Sequence, residues 1–233
     1  MLLAIETSTS SGSVALWDNG ESLYRNCPSE QTHSQTLLPL LQQILSEADI
    51  TFGALKGVAF GSGPGAFTGL RIASGMAQGI AVAHDLPVFP ICTLAALAWG
   101  SGADKVLAML DARMGEAYVG RYLRANKTLQ QDGELLLATP EDIVRMLFSS
   151  KNTLSAGWTA CGNGLLAFPS LREAARSSGM ACNVDDVPHA VAVAELAAQD
   201  NNGGLDAALA IPQYLRNKVA KTSAERLAAA SKA

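Results

Sequence analysis

Histidine is nearly missing from this sequence: His33, His84 and His189 are the only three in 233 residues. Their spacing cannot supply an HxxxH pair, so no metal site is expected. Each has a local reading instead. His33 opens an amphipathic helix as a surface or cap residue, His84 ends a glycine-rich helix where a cation suits the dipole, and His189 begins a helix after Pro188. No catalytic residue is assigned to any of them. The four cysteines, Cys27, Cys92, Cys161 and Cys182, stand tens of residues apart with no CxxC pair. That excludes a zinc knuckle, a redox motif or a disulfide framework and leaves reduced, mostly buried small hydrophobes. Basic charge is also scarce, with 17 Lys and Arg against 21 Asp and Glu and a net charge of -4. Such a chain has no global electrostatic footprint for nucleic acid, so any RNA contact is local or made through a partner. Long apolar runs are lacking too. The region from Phe67 to Val88 is broken by Arg71, Gln78, His84 and Asp85, and Met1 to Glu6 is too short and lacks the basic start of a signal peptide. A cytoplasmic protein with no membrane span is expected. No G-x-S-x-G elbow supports a serine hydrolase.

What the sequence does contain is a 48% hydrophobic content, ample for one core or two. Leu2 to Glu6 reads as a strand ending in an acid, and Ser13 to Trp17 with Glu21 to Asn26 flank Asn19-Gly20, a strong hairpin signal. From Thr32 to Ala48, Leu37, Leu38, Leu41, Ile44 and Leu45 recur at helical spacing. Gly57 to Phe60 is a short buried strand, Gly61 to Gly65 a loop, Phe67 to Ala83 a second helix and Leu86 to Ile91 another strand. The second half starts alike: Val106 to Asp111 is a strand ending in an acid, Ala112 to Gly115 a turn, and Ala117 to Leu123 a strand. Glu6 and Gly12 thus correspond to Asp111 and Gly115 in a weak topological repeat. Thr139-Pro140-Glu141-Asp142 starts a helix with an N-cap, Pro in the first turn and acids beside it. A strand at Trp158 to Cys161 and helices Leu165 to Arg176 and His189 to Asn201 close the pattern, which predicts two related α/β lobes facing a cleft.

The loop from Gly61 to Arg71 invites a phosphate-binding reading, since it joins a buried strand to a helix N-terminus. A Walker loop needs Lys-Ser/Thr after its last Gly, and here Gly69 is followed by Leu70-Arg71. Gly61, Gly63 and Ala66 satisfy a dinucleotide spacing, but the strand Val88 to Ile91 carries no ribose-binding acid and Pro64 removes a donor. The plainer reading is a tight turn that lets the helix pack closely. Along that helix Gly69, Ala73, Ala77 and Ala81 repeat every four residues, with Gly75 and Gly79 on another face. Interior helical glycines are unfavourable by about 1 kcal/mol each, so close approach is expected, either inside the subunit or to a second chain.

Leu3 to Ser8, Gly61 to Arg71, Asp111 to Glu116 and Tyr214 to Asn217, in that order, resemble the TsaB family of bacteria, also called YeaZ. The resemblance implies an α/β, actin-like ASKHA fold of two related lobes, each a mixed sheet flanked by helices. It places the lobes at 1–100 and 101–217, followed by a basic tail at 218–233. It further implies a subunit of the tRNA threonylcarbamoyladenosine machinery, in which TsaD transfers the threonylcarbamoyl group to the adenosine beside the anticodon. TsaB supports TsaD with the ATPase TsaE, and tRNA is met through the complex. Catalytic TsaD proteins carry HxxxH soon after the glycine loop, where this chain has Cys92 to Leu97 without His, Asp or Glu. The expectation is a non-catalytic scaffold presenting Leu37, Leu38, Leu41, Phe67, Leu70, Arg71, Ser74 and Gln78 to TsaD, or to a second copy when TsaD is absent. Glu6, Ser8, Gly12 and Arg113 are read either as a vestigial or shared nucleotide site or as polar turns lining the cleft. No cofactor is expected to be bound firmly; ATP or ADP is placed at a subunit junction. The alternative is an ASKHA-type nucleotide-hydrolysing enzyme or a protease acting on TsaD. The tail, with Lys218, Lys221, Arg226 and Lys232, reads as a solvated helix or as a contact for tRNA phosphates or an acidic partner.

Overall fold

Strand β1 (Leu2–Glu6) is apolar at nearly every position, and it sits in the middle of a sheet that is covered on both faces. The computed structural model describes residues 1–149, 154 and 157–216; Asn217 and the expected basic tail lie outside the described residues. Antiparallel to β1 runs β2 (Ser13–Asp18), itself paired with β3 (Glu21–Asn26). Asn19 and Gly20 between them both take positive φ, as the expected two-residue turn requires. Helix α1 (His33–Glu47) follows, then β4 (Gly57–Gly63) parallel to β1, α2 (Phe67–His84), and β5 (Val88–Cys92) parallel to β4. The sheet order is β3-β2-β1-β4-β5. Side chains alternate along β1: Leu3 and Ile5 join α1 and α2 in one core, while Leu2 and Ala4 face the other side.

After α3 (Thr93–Gly100) the pattern repeats with β6 (Lys105–Asp111), β7 (Ala117–Ala125) and β8 (Thr128–Gln131). A short β9 (Leu136–Ala138) also pairs with β7, and α4 (Pro140–Leu147) leads towards β10 (Thr159–Cys161). Then come α5 (Gly164–Ala167), α6 (Pro169–Ser177), β11 (Ala181–Asn183) and α7 (Ala190–Ala197). The second sheet reads β8-β7-β6-β10-β11, the same order and sense as the first, so the repeat inferred from Glu6 and Asp111 holds at the level of topology. Two helices change sides. Leu94 and Leu97 of α3 pack on the second sheet, whereas Ala190, Val193 and Ala197 of α7 pack on the first, and α3 touches α7.

Several element boundaries differ from expectation, and three of them have a local reason. Strand β4 continues through Gly61 to Gly63, paired with Ile91 and Cys92 across an irregular register. The expected Leu165 to Arg176 helix splits at Pro169, whose ring occupies the first turn of α6. His189 stands outside α7 as its N-cap, its Nδ1 accepting from the Val191 N–H at 3.2 Å. No helix among the described residues is long and apolar enough to cross a membrane.

Candidate functional site

The glycine loop is folded tightly around the turn that follows β1. A Cβ on Gly61 would lie 2.0 Å from Glu6 Oε2, on Gly65 2.6 Å from Ser8 Cβ, and on Gly69 1.8 Å from the Thr7 carbonyl oxygen. Only hydrogen fits at these positions. Two hydrogen bonds fasten the arrangement: Thr7 Oγ1 donates to the Gly69 carbonyl at 2.8 Å, and the Ala66 N–H donates to the Ser8 carbonyl at 2.7 Å. Glu6, Thr7 and Ser8 thus close off the side of the loop on which Gly61, Gly65 and Gly69 would carry a Cβ. Beneath it Glu6 is fully buried; its Oε1 accepts from the Ser8 N–H at 2.6 Å, and Oε2 has no partner among the described residues. Burial pushes the Glu6 carboxyl above the usual carboxylate range.

Among the residues read as a nucleotide site, Glu6 and Ser8 share the buried turn. Gly12 closes that turn, one residue before Ser13, the partner of Glu6 across β1 and β2, with the His33 ring 2.7 Å and Cys27 Sγ 2.9 Å from where its Cβ would stand. Arg113 occupies a left-handed turn between β6 and β7, 85% exposed and 3.2 Å from Asp111. An ion pair so open to water holds little energy. The histidines are scattered: His33 Nε2 lies 2.9 Å from the Thr9 carbonyl, His84 stacks on Phe52, and His189 Nε2 is 2.9 Å from Asn26 Oδ1.

Helix α2 has two unlike faces. Gly69, Ala73, Ala77 and Ala81 form the inner stripe, buried against the sheet, and Leu70 and Ser74 are buried with them. Leu37 and Leu41 of α1 are fully buried in the same core, so these side chains hold the subunit together from within. Among the residues expected to meet a partner, Leu38, Phe67 and Arg71 stand at the surface, and Gln78 is half-buried with its Nε2 donating to the Ala207 carbonyl. The outer stripe of α2 runs Phe67, Arg71, Gly75, Gly79, Val82. Around the positions where Gly75 and Gly79 would carry a Cβ there is nothing within 4 Å. These two glycines are the ones for which the sequence predicts close approach, inside the subunit or to a second chain, and no described residue approaches them.

A strap from Leu205 to Arg216 runs antiparallel alongside α2. It bridges Val88 at Leu205, meets Gln78 at Ala207, and donates from the Gln213 N–H to the Ser62 carbonyl at 2.7 Å. At its end Arg71 Nε donates to Tyr214 Oη at 3.2 Å, the Phe67 and Tyr214 rings are 5.5 Å apart, and the Arg71 guanidinium lies 4.0 Å over the Phe67 ring. Arg216 reaches Glu116 at 2.6 Å and the Ala112 carbonyl at 3.2 Å. The segments around Gly61, Asp111 and Tyr214, far apart in sequence, thus converge on one cavity of about 190 Å³ floored by Leu70 and Tyr118. Sequence reasoning missed Met114 and Tyr214 as surface residues here; their only signal was membership in the quoted segments.

The profile of the family described as TsaD, tRNA N6-adenosine threonylcarbamoyltransferase, matches residues 28–230. The tRNA threonylcarbamoyladenosine biosynthesis protein TsaB of Escherichia coli is 37% identical over 94% of this chain and 96% of its own length. Its counterpart in Haemophilus influenzae is 36% identical over 68% of this chain and 73% of its own length. Among solved structures, YeaZ from Pseudomonas aeruginosa superposes with a TM-score of 0.76 at 34% identity, covering 92% of this chain and 99% of that one. A second Pseudomonas aeruginosa structure, of an uncharacterized protein similar to peptidase YEAZ, gives a TM-score of 0.78 at 35% identity with the same coverage. With two sheets of one strand order, these likenesses identify the fold as actin-like ASKHA α/β.

Proposed function

This chain belongs to the family described as TsaD, tRNA N6-adenosine threonylcarbamoyltransferase, and within it to the TsaB proteins of tRNA threonylcarbamoyladenosine biosynthesis; from that membership we propose that it is a non-catalytic scaffold. In this reading the chain binds and stabilises TsaD, recruits TsaE, meets tRNA through the complex, and pairs with itself when TsaD is absent, all in the cytoplasm. The observation that carries the proposal is the outer stripe of α2. Gly75 and Gly79 are unfavourable for the helix, nothing among the described residues needs them to be small, and a second helix seated on them would. Large anchors flank them, Phe67 and Arg71 at one end and Val82 at the other. Aromatic residues and Arg carry most of the energy in such interfaces. In this reading any adenine nucleotide of the complex lies at a subunit junction, a placement supported by the packing of Thr7 and Ser8 against the glycine loop.

To test the scaffold reading, Gly79→Trp is introduced on the exposed stripe, and co-purification with TsaD and tRNA modification are measured together. We expect both to fall at least tenfold while the melting temperature changes little. Full binding and full modification by this variant would overturn the interface.

A further inference from the structure

The cavity under Phe67 and Tyr214 lies beside the outer stripe of α2 and is lined by three of the four motif segments, yet no side chain among the described residues fills it. Its floor is apolar, Leu70 at 1% and Tyr118 at 7% exposure, and its rim carries the exposed Phe67, Met114 and Tyr214. An apolar cavity of 150 Å³ takes up benzene, so about 190 Å³ suits one aliphatic or aromatic side chain. The charge at the rim is uneven. Arg113 is matched by Asp111 and Arg216 by Glu116, but Arg71 has only the Tyr214 hydroxyl and the Phe67 ring, and no carboxylate among the described residues.

We propose that this cavity is an anchor pocket that seats one apolar side chain of the docking partner, with an acidic residue next to it pairing with Arg71. The inference rests on the scaffold reading above and adds to it the chemistry of the partner's contact. Phe67 and Tyr214, held together by Arg71, shield the anchor from water, so the neighbouring ion pair forms in a partly desolvated rim where it is worth more than in open solvent.

The test measures affinity for purified TsaD by titration calorimetry with full-length variants. Ala112→Leu fills the cavity from its wall, Arg71→Glu reverses the rim charge, Arg71→Lys keeps it, and Gly79→Trp probes the interface apart from the pocket. We expect at least tenfold weaker binding for Ala112→Leu and Arg71→Glu, and a smaller loss for Arg71→Lys. Should Ala112→Leu fail to fold, the two Arg71 variants decide, because Arg71 is exposed and its replacement leaves the core intact. If Gly79→Trp abolishes binding while folded Ala112→Leu and Arg71→Glu bind like wild type, the anchor pocket is refuted and the scaffold reading stands. If no variant weakens binding, both fall.

Discussion

At the scale of single residues, Gly61, Gly65 and Gly69 owe their place to contacts with the turn after β1. Gly69 is the sharpest case, since the Thr7 carbonyl is backbone and cannot move aside for a Cβ 1.8 Å away. Gly69→Ala is expected to destabilise the protein by about 3 kcal/mol or more, read as a lowered urea midpoint with an unchanged slope. Glu6 makes a separate prediction. Its carboxyl is held above the ordinary range by burial, so the folded state binds its proton more tightly than the unfolded chain does. Stability from this group is complete below the unfolded value near 4.5 and declines as pH rises through the folded one. Glu6→Gln removes that dependence. The two proteins should match in stability at about pH 4 and diverge towards neutrality, with the variant the more stable; parallel curves would mean that folding leaves the proton affinity of Glu6 unchanged. The sequence marked Glu6 as an acid at the end of a strand, but not which way it points. That orientation depends on Gly61 lying over it, a contact between residues 55 positions apart.

Among the elements, α2 separates what periodicity can tell from what it cannot. The spacing of Gly69, Ala73, Ala77 and Ala81 was legible as a face, and so was the apolar face of α1. Whether a face meets the subunit's own sheet or another chain was not, because both require the same residue types. Burial decides it, sending Leu37, Leu41, Leu70 and Ser74 inward and leaving Leu38, Phe67 and Arg71 outside. Gly75 and Gly79 then acquire a meaning that composition alone did not give. Replacing both by Ala should stabilise the isolated subunit by about 1 kcal/mol per site, a rise in melting temperature of roughly 2–4 °C each. The same double variant should bind TsaD more weakly, because each methyl group holds the facing helix away. A gain in stability with affinity unchanged would mean that the stripe faces only solvent. Elsewhere the caps were readable, as Thr139 accepting from the Asp142 N–H shows, while β9 and β11 span three residues each and are too short to leave a pattern.

On the scale of the whole molecule, the repeat of strand, acid-bearing turn and strand predicted two matching sheets, and their strand orders agree. The exchange of α3 and α7 between them was not visible in the sequence. Helix α7 is rich in Ala and Val and buried at most positions, so it has no polar side from which its packing could be read. The strap has the same difficulty: Leu205 to Arg216 lacks a regular pattern because its partners are the glycine loop and the turn at Asp111 to Glu116, not its neighbours in sequence. What these long-range contacts build is a subunit whose first turn packs against its own glycine loop and whose exposed helix faces outward. The most direct test is the rate of threonylcarbamoyladenosine formation on tRNA in a reconstituted system with saturating Glu6→Gln in place of the wild-type chain. A scaffold predicts an unchanged rate, because the buried acid takes no part in the chemistry; a rate lowered by orders of magnitude with TsaD binding intact would contradict it.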